Sequence, residues 1–307
     1  MIARFFKQSK PIVYIILIMV LTAFYLAELM GTSIQLMDRE TIAMIVLKYL
    51  SLLGCFLIFD RCIKAFEIQR NHSFGGLCFV LFSSFFLLNI FDNFMIFGLL
   101  FFSIAMMRLL NILKTINPTL SLFEATFLMF LSGLFYEPFM YLLLLIFAAT
   151  LIFLSPQWRF FVAPILAISA VVVLVQMYYL IVFDTIVYLD FFISEWSFNF
   201  NFNPEIKSLY MISFWVILSI LCVYQIIKVK QKRSLYHKDM ASFFLVFLGL
   251  SPIVYWLTNT SLSGLWLLSI WPLSIYIADF LNRLKIRFWL EVVFWSIVGF
   301  ALGFWFI

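Results

Sequence analysis

Four carboxylates, Asp38, Glu40, Asp92 and Glu137, stand in short polar breaks of a chain otherwise made of long apolar runs. They occur in "MDRET", "FDNFMIF" and "LFYEPF". Three kinds of chemistry are open to such acids. A single carboxylate can act as general base toward a hydroxyl acceptor. Two or three that converge can bind a divalent cation through oxygen. A short acid at a helix start can accept hydrogen bonds from the first free amides, and its charge suits the helix dipole. Asp92, with Asn93 beside it, fits a cap for the run that follows. Asp38 and Glu40 fit the start of another helix, with Arg39 shielding them. Glu137-Pro138 has the form of a helix start with proline in its first turn. Lys48 lies about two turns inside an apolar run. There it either snorkels outward, pairs with Glu28, or turns inward to face a phosphate. Trp196 belongs to "SEWSFNFNFNP", whose aromatic rings can stack on sugar rings.

The elements that must position these groups follow from composition. Of 307 residues, 65% are hydrophobic and only 11% are charged, with a mean hydropathy of +1.11. Soluble domains are roughly 45–50% apolar and about 25% charged. The solvent over most of this chain is therefore lipid, and in lipid the backbone must satisfy itself within helices. The expected fold is all-α and polytopic, a single transmembrane domain over residues 1–307. Only two histidines are present, His72 and His237, which sets aside a His-based metal site or triad. Cys55, Cys62, Cys78 and Cys222 show no zinc or disulfide spacing.

Eleven runs approach the roughly 20 residues that a span needs. They lie near 11–30, 42–60, 74–91, 94–110, 121–136, 138–155, 160–182, 208–227, 240–258, 263–280 and 288–306. Pro138 divides the fifth from the sixth, so a re-entrant pair or a kinked helix is the alternative there. The basic start "MIARFFKQSK" reads as the flank of an uncleaved first span. With the N terminus in the cytoplasm, every Lys and Arg except Arg39, Lys48 and Lys207 falls at the inner face. The C terminus is then outside. The run "KVKQKRSLYHK" in the basic loop 228–239 reads as a topology signal at anionic headgroups, not as a nucleic-acid patch. The segment 183–207 reads as an outer-face interfacial element, with Asp184 and Glu195 on one face of a short helix. Glu124 is expected to pair with Arg108 or Lys114 near the inner end.

The stretches "FFKQSKPI", "FDNFMIFGLLFFSIAMMRLLNI" and "LFEATFLMFLSGLFYEPFMYLLLLIF" resemble an uncharacterised family of bacterial multi-span inner-membrane proteins. That resemblance covers about the first 190 residues and implies a bacterial inner membrane without an activity. A looser pattern is similar to the C-type glycosyltransferase membrane module. It consists of an outer acid opening a Phe/Leu-rich span, an Arg at its inner end, and a small-residue span starting the next hairpin. Such enzymes take a sugar from a polyprenyl-phosphate carrier at the outer face, with catalytic or metal-linked acids in outer loops. The matching acids here are Asp38 or Glu40, and Asp92. Glu137, Arg39, Lys48 and Trp196 would then meet the substrate. The first outer loop, about residues 31–41, is shorter than in that module, and outer basic residues are limited to Arg39, Lys207 and Lys48.

Two functions are therefore carried forward. One is the handling of a lipid-linked glycan at the outer face, with a divalent cation as the implied cofactor. The other is a non-catalytic subunit of an inner-membrane assembly, with lipids and other membrane proteins as partners. A transporter is set aside because few charges fall mid-span and no inverted repeat is evident. A shared outer cavity for Asp38, Glu40, Asp92 and Glu137 would favour the first function. Acids dispersed on separate helix ends would favour the second.

Overall fold

The computed structural model describes residues 5–7, 10–31, 39–66, 72–87, 94–154, 157–184, 206–229, 235–258, 262–284 and 287–303, which contain no strand. Twelve helical segments occur among them. They are α1 (Pro11–Gly31), α2 (Arg39–Ala65), α3 (Phe74–Leu87), α4 (Met95–Asn111), α5 (Pro118–Phe135), α6 (Pro138–Tyr141), α7 (Leu144–Phe153), α8 (Trp158–Phe183), α9 (Ile206–Val229), α10 (Leu235–Thr258), α11 (Leu262–Arg283) and α12 (Arg287–Gly303). The all-α expectation holds. Six of them, α1, α2, α5, α8, α10 and α11, are long and apolar enough to cross a membrane by length and composition.

Two boundaries differ from the sequence reading. Helix α2 begins at Arg39 and ends at Ala65, beyond the expected 42–60 on both sides. Helices α9 and α10 also take up much of the basic loop placed at 228–239, leaving only 230–234 outside the described residues. Lys and Arg are good helix formers whose long stems lie along apolar surface while their heads reach water. A helix can therefore outrun its apolar core. The interfacial element at 183–207 falls largely outside the described residues. Its first residues are the end of α8 and Asp184, which stops that helix in the left-handed conformation (φ 55°).

Pro138 opens the sixth run, dividing it from the fifth as expected, and the sixth run is itself interrupted at 142–143. Its backbone amides bond three residues back, not four: Phe139 to Tyr136, Met140 to Glu137, Leu142 to Phe139 and Leu145 to Leu142. These tight turns fold the α5–α6 junction onto α4. Two glycines make room for it. A Cβ on Gly133 would stand 2.8 Å from the Met140 Cβ, and one on Gly98 would stand 3.1 Å from the Phe139 ring. Phe139 is fully buried and stacks on Phe102 at 4.9 Å. Gly133→Ala is expected to cost about 1–3 kcal/mol through forced displacement of the backbone at Met140. Gly249, in α10, has open space around its Cα. Gly249→Ala should be neutral or gain up to about 1 kcal/mol of helix propensity. Thermal melts of the two variants in one detergent check this, and equal melting points would refute the close-packing account.

The centre of the bundle is the pair α3 and α11. Every residue of α3 is buried, as is most of α11. Helices α1, α2 and α12 flank α3, while α9 and α10 flank α11. Helix α4 leans on α2 and carries α5, which carries α8 at the margin. Aromatic rings tie the pair to its neighbours. Trp266 stacks on Phe85 at 4.2 Å and on Phe214 at 5.6 Å, and Phe214 stacks on Phe300 at 4.7 Å. Phe59 meets Trp271 edge-on at 5.0 Å.

Among the described residues, a set of contacts at one end of the bundle joins residues that flank its basic segments. At this basic end the Ser73 amide and hydroxyl both donate to the Phe6 carbonyl at 3.0 Å. The Lys114 ammonium donates to the Ala65 carbonyl, and the Tyr276 hydroxyl donates to the Ala241 carbonyl at 2.6 Å. Arg108 pairs with Glu124 at 3.3 Å, one of the two partners expected for that acid. Lys64 pairs with Asp60 at 2.8 Å, and Arg283 with Asp279 at 2.9 Å.

Candidate functional site

At the end opposite the basic one, the last turns of α1 face the first third of α2. Tyr25 and Glu28, three apart, share a face of α1, and Ile45, Lys48 and Tyr49 share a face of α2. The two faces meet: the Tyr25 hydroxyl donates to the Ile45 carbonyl at 2.7 Å, and the Tyr25 and Tyr49 rings lie 5.2 Å apart. Lys48 is only 6% exposed and Glu28 9%. The Lys48 ammonium lies over the Phe94 ring at 5.9 Å from its centre. Lys48 lies about 14 Å from the start of α2, shielded from solvent.

A buried ammonium is costly. Insertion scales put a lysine at mid-helix depth near +2.5–3.5 kcal/mol. Such a group persists where anionic or polar partners hold it, and it will attract a further anion brought to it. Tyr25, Tyr49 and Phe94 did not stand out in the sequence as site residues, because aromatic residues are everywhere in this chain. The signal that marks them is their spacing relative to Glu28 and Lys48.

Of the other expected site residues, Arg39, Glu40 and Glu137 are described. Arg39 and Glu40 are exposed in the first turn of α2, more than about two turns from Lys48. Glu40 there suits the positive end of the helix dipole. Glu137 is half-buried in the α5–α6 junction, at the N-cap position before Pro138, as the sequence indicated. Its side chain makes no cap bond and accepts instead from the Tyr141 hydroxyl at 3.3 Å. Helix α4 packs against both α2, which carries Lys48, and α5, which Glu137 follows. Asp38, Asp92 and Trp196 lie outside the described residues. The cap expected from Asp92 therefore lies outside the described residues; the N-cap position of α4 is Phe94, which makes no side-chain cap bond. Among the described residues no three His, Cys, Asp or Glu side chains come together to hold a metal ion.

At the basic end the sequence reading passed over His72. It is buried before α3 against the Phe74 ring at 5.5 Å, and among the described residues its Nδ1 has no hydrogen-bond partner. Burial holds its pKa down to about 4, with Asp279 opposing the shift and Lys7 adding to it. The imidazole is neutral at physiological pH, and its place is structural. No protein-family model, curated protein or solved structure matches the chain.

Proposed function

We propose that this chain is a bacterial inner-membrane protein of eleven crossings, with the basic end in the cytoplasm and the C terminus outside. We propose further that its outer end handles a lipid-linked glycan in the manner of a C-type glycosyltransferase module. The observation that carries the second reading is Lys48, an ammonium buried at the end away from most of the other cations. A polyprenyl-phosphate carrier brings its phosphate to the headgroup depth of that leaflet, where a desolvated cation binds it more strongly than one in water. In this reading Lys48 holds the phosphate and Arg39 supports it. One of Asp92, Asp38 and Glu40 takes the proton of the acceptor hydroxyl. Glu137 and Trp196 meet the sugar.

Two substitutions test it. Lys48→Gln should weaken binding of a polyprenyl phosphate in micelles at least tenfold, and Lys48→Arg should restore most of it. Equal affinity in all three proteins would sink the phosphate role. Asp92→Asn preserves a short oxygen acceptor and removes the charge. It should abolish glycan transfer if Asp92 is the base and leave it intact if Asp92 only caps.

The second reading is a non-catalytic subunit of a membrane assembly. The lack of a three-ligand cluster among the described residues favours it. Co-purification of a stable protein partner, with no affinity for polyprenyl phosphate, would decide for it.

The orientation rests on the collected cations at one end of the bundle. The four native cysteines are buried, so single introduced thiols give a clean signal. Ser194→Cys should react with an impermeant reagent in intact cells, and Ser234→Cys should not. The reverse pattern would overturn the orientation.

A further inference from the structure

An apolar groove runs between α1 and α12, with α3 as its floor. Its volume is about 380 Å³, within the range of about 300–1,000 Å³ typical of ligand pockets. Ile16, Val20 and Phe24 form one wall, Trp295 and Leu302 the other, and Val80 lies beneath. The Phe6 ring closes its basic end by stacking on Phe294 at 5.9 Å. Beside Phe6, Lys7 and Lys10 are exposed. Glu291, the one acid of α12, does not line the groove.

Two occupants compete for such a groove in a bilayer. A transmembrane helix packs where small residues let backbones approach. This groove offers Ala23 alone among large Leu, Ile, Val, Phe and Trp side chains. A flexible acyl chain needs only width and apolar walls. The two lysines at one end add a preference for a negative headgroup, since basic residues near the membrane surface attract anionic lipid.

We infer that the α1–α12 groove is a specific site for one anionic phospholipid of the cytoplasmic leaflet, with an acyl chain in the groove and the headgroup phosphate at Lys7 and Lys10. The inference rests on the chain crossing a membrane with its basic end inside, and is independent of the glycan reading.

Native mass spectrometry of the full chain, stripped of lipid and titrated with phosphatidylglycerol or phosphatidylcholine of identical acyl chains, tests it. The wild type should hold one phosphatidylglycerol at least five-fold more tightly than phosphatidylcholine. Lys7→Gln with Lys10→Gln should abolish that preference while weak binding of both lipids persists. Ala23→Phe, a substitution at an exposed position that fills the groove, should weaken both. An unchanged melting point shows that the variants fold, and Ile16→Trp serves as the second groove-filling change. Equal retention of the two lipids by the wild type would overturn the site, as would indifference to all these substitutions. A dimer that dissociates on Ala23→Phe would overturn it in favour of a second copy of the chain. Membrane fractionation reads insertion separately, so a failure of the crossing itself is distinguishable from a failure of the site.

Discussion

Trp266→Ala is expected to destabilise the bundle by about 3–5 kcal/mol, the range for deletion of a large buried aromatic ring. Trp266 is fully buried in α11 and touches rings from two other helices: Phe85 at 4.2 Å, Phe82 at 5.7 Å and Phe214 at 5.6 Å. In a bilayer the hydrophobic term between helices is largely missing, because lipid tails are as apolar as side chains. What remains is the loss of close contacts and the cavity left behind. The effect should therefore lie toward the lower end of the range. Trp266→Phe keeps a ring in the stack. It also removes an indole N–H that has no hydrogen-bond partner, so its cost should stay under about 1.5 kcal/mol. Trp256 is 65% exposed on α10, and Trp256→Ala should change little. Thermal unfolding of the three variants in one detergent measures the order. If Trp256→Ala were as damaging as Trp266→Ala, the assignment of α3 and α11 to the centre would be wrong.

The melting point of the wild type should fall as the pH is lowered from about 7 toward 4, and His72 should account for much of the slope. Its pKa is lowered from the model-peptide value of 6.5 to about 4 by burial. Between these values the unfolded chain binds a proton that the folded one refuses, so stability rises with pH across that window. The contribution is fully present above the unfolded value and is lost as the pH falls toward the folded one. A shift of this size corresponds to an upper bound of about 3 kcal/mol. His72→Phe removes the titration and keeps a ring against Phe74. The variant should melt at nearly the same temperature as wild type at pH 7.5 and above it at pH 5. A slope between pH 7 and pH 5 that is identical in the two proteins would show that other groups carry the acid sensitivity.

Much of the architecture was readable before any coordinates. Each of the eleven apolar runs has helix at its place, because a chain this apolar can satisfy its peptide groups only within helices. Pro138 marked the division between the fifth and sixth runs, since proline removes an amide donor and restricts the residue before it. The Arg108–Glu124 pair was legible because each residue sits near the same end of its helix, and the helices adjoin in sequence. Lys48 was legible as exceptional and not as placed: its type and depth marked it, while three outcomes remained open. Its burial against Phe94 depends on how α1, α2 and α4 meet. The place of Glu137 in the α5–α6 junction depends on packing in the same way. Sequence locates an acid at an end of the bundle and does not say on which side of α4 it stands.

The order of the helices from centre to margin was decided by tertiary structure alone. In water the most apolar element goes inside, so hydropathy predicts burial. In lipid that rule fails, because the outside is as apolar as the core. Helix α8, with a mean hydropathy of 2.5, has 22% of its central window buried, whereas α11, at 1.5, has 89% buried. The sequence by itself determined the helices, their approximate limits and the end that carries the cations. Only the packed structure decided that α3 and α11 form the centre. Their Ser, Gly and Trp side chains find close-packed neighbours there that lipid does not supply, while the more uniformly apolar α8 loses nothing by facing the bilayer.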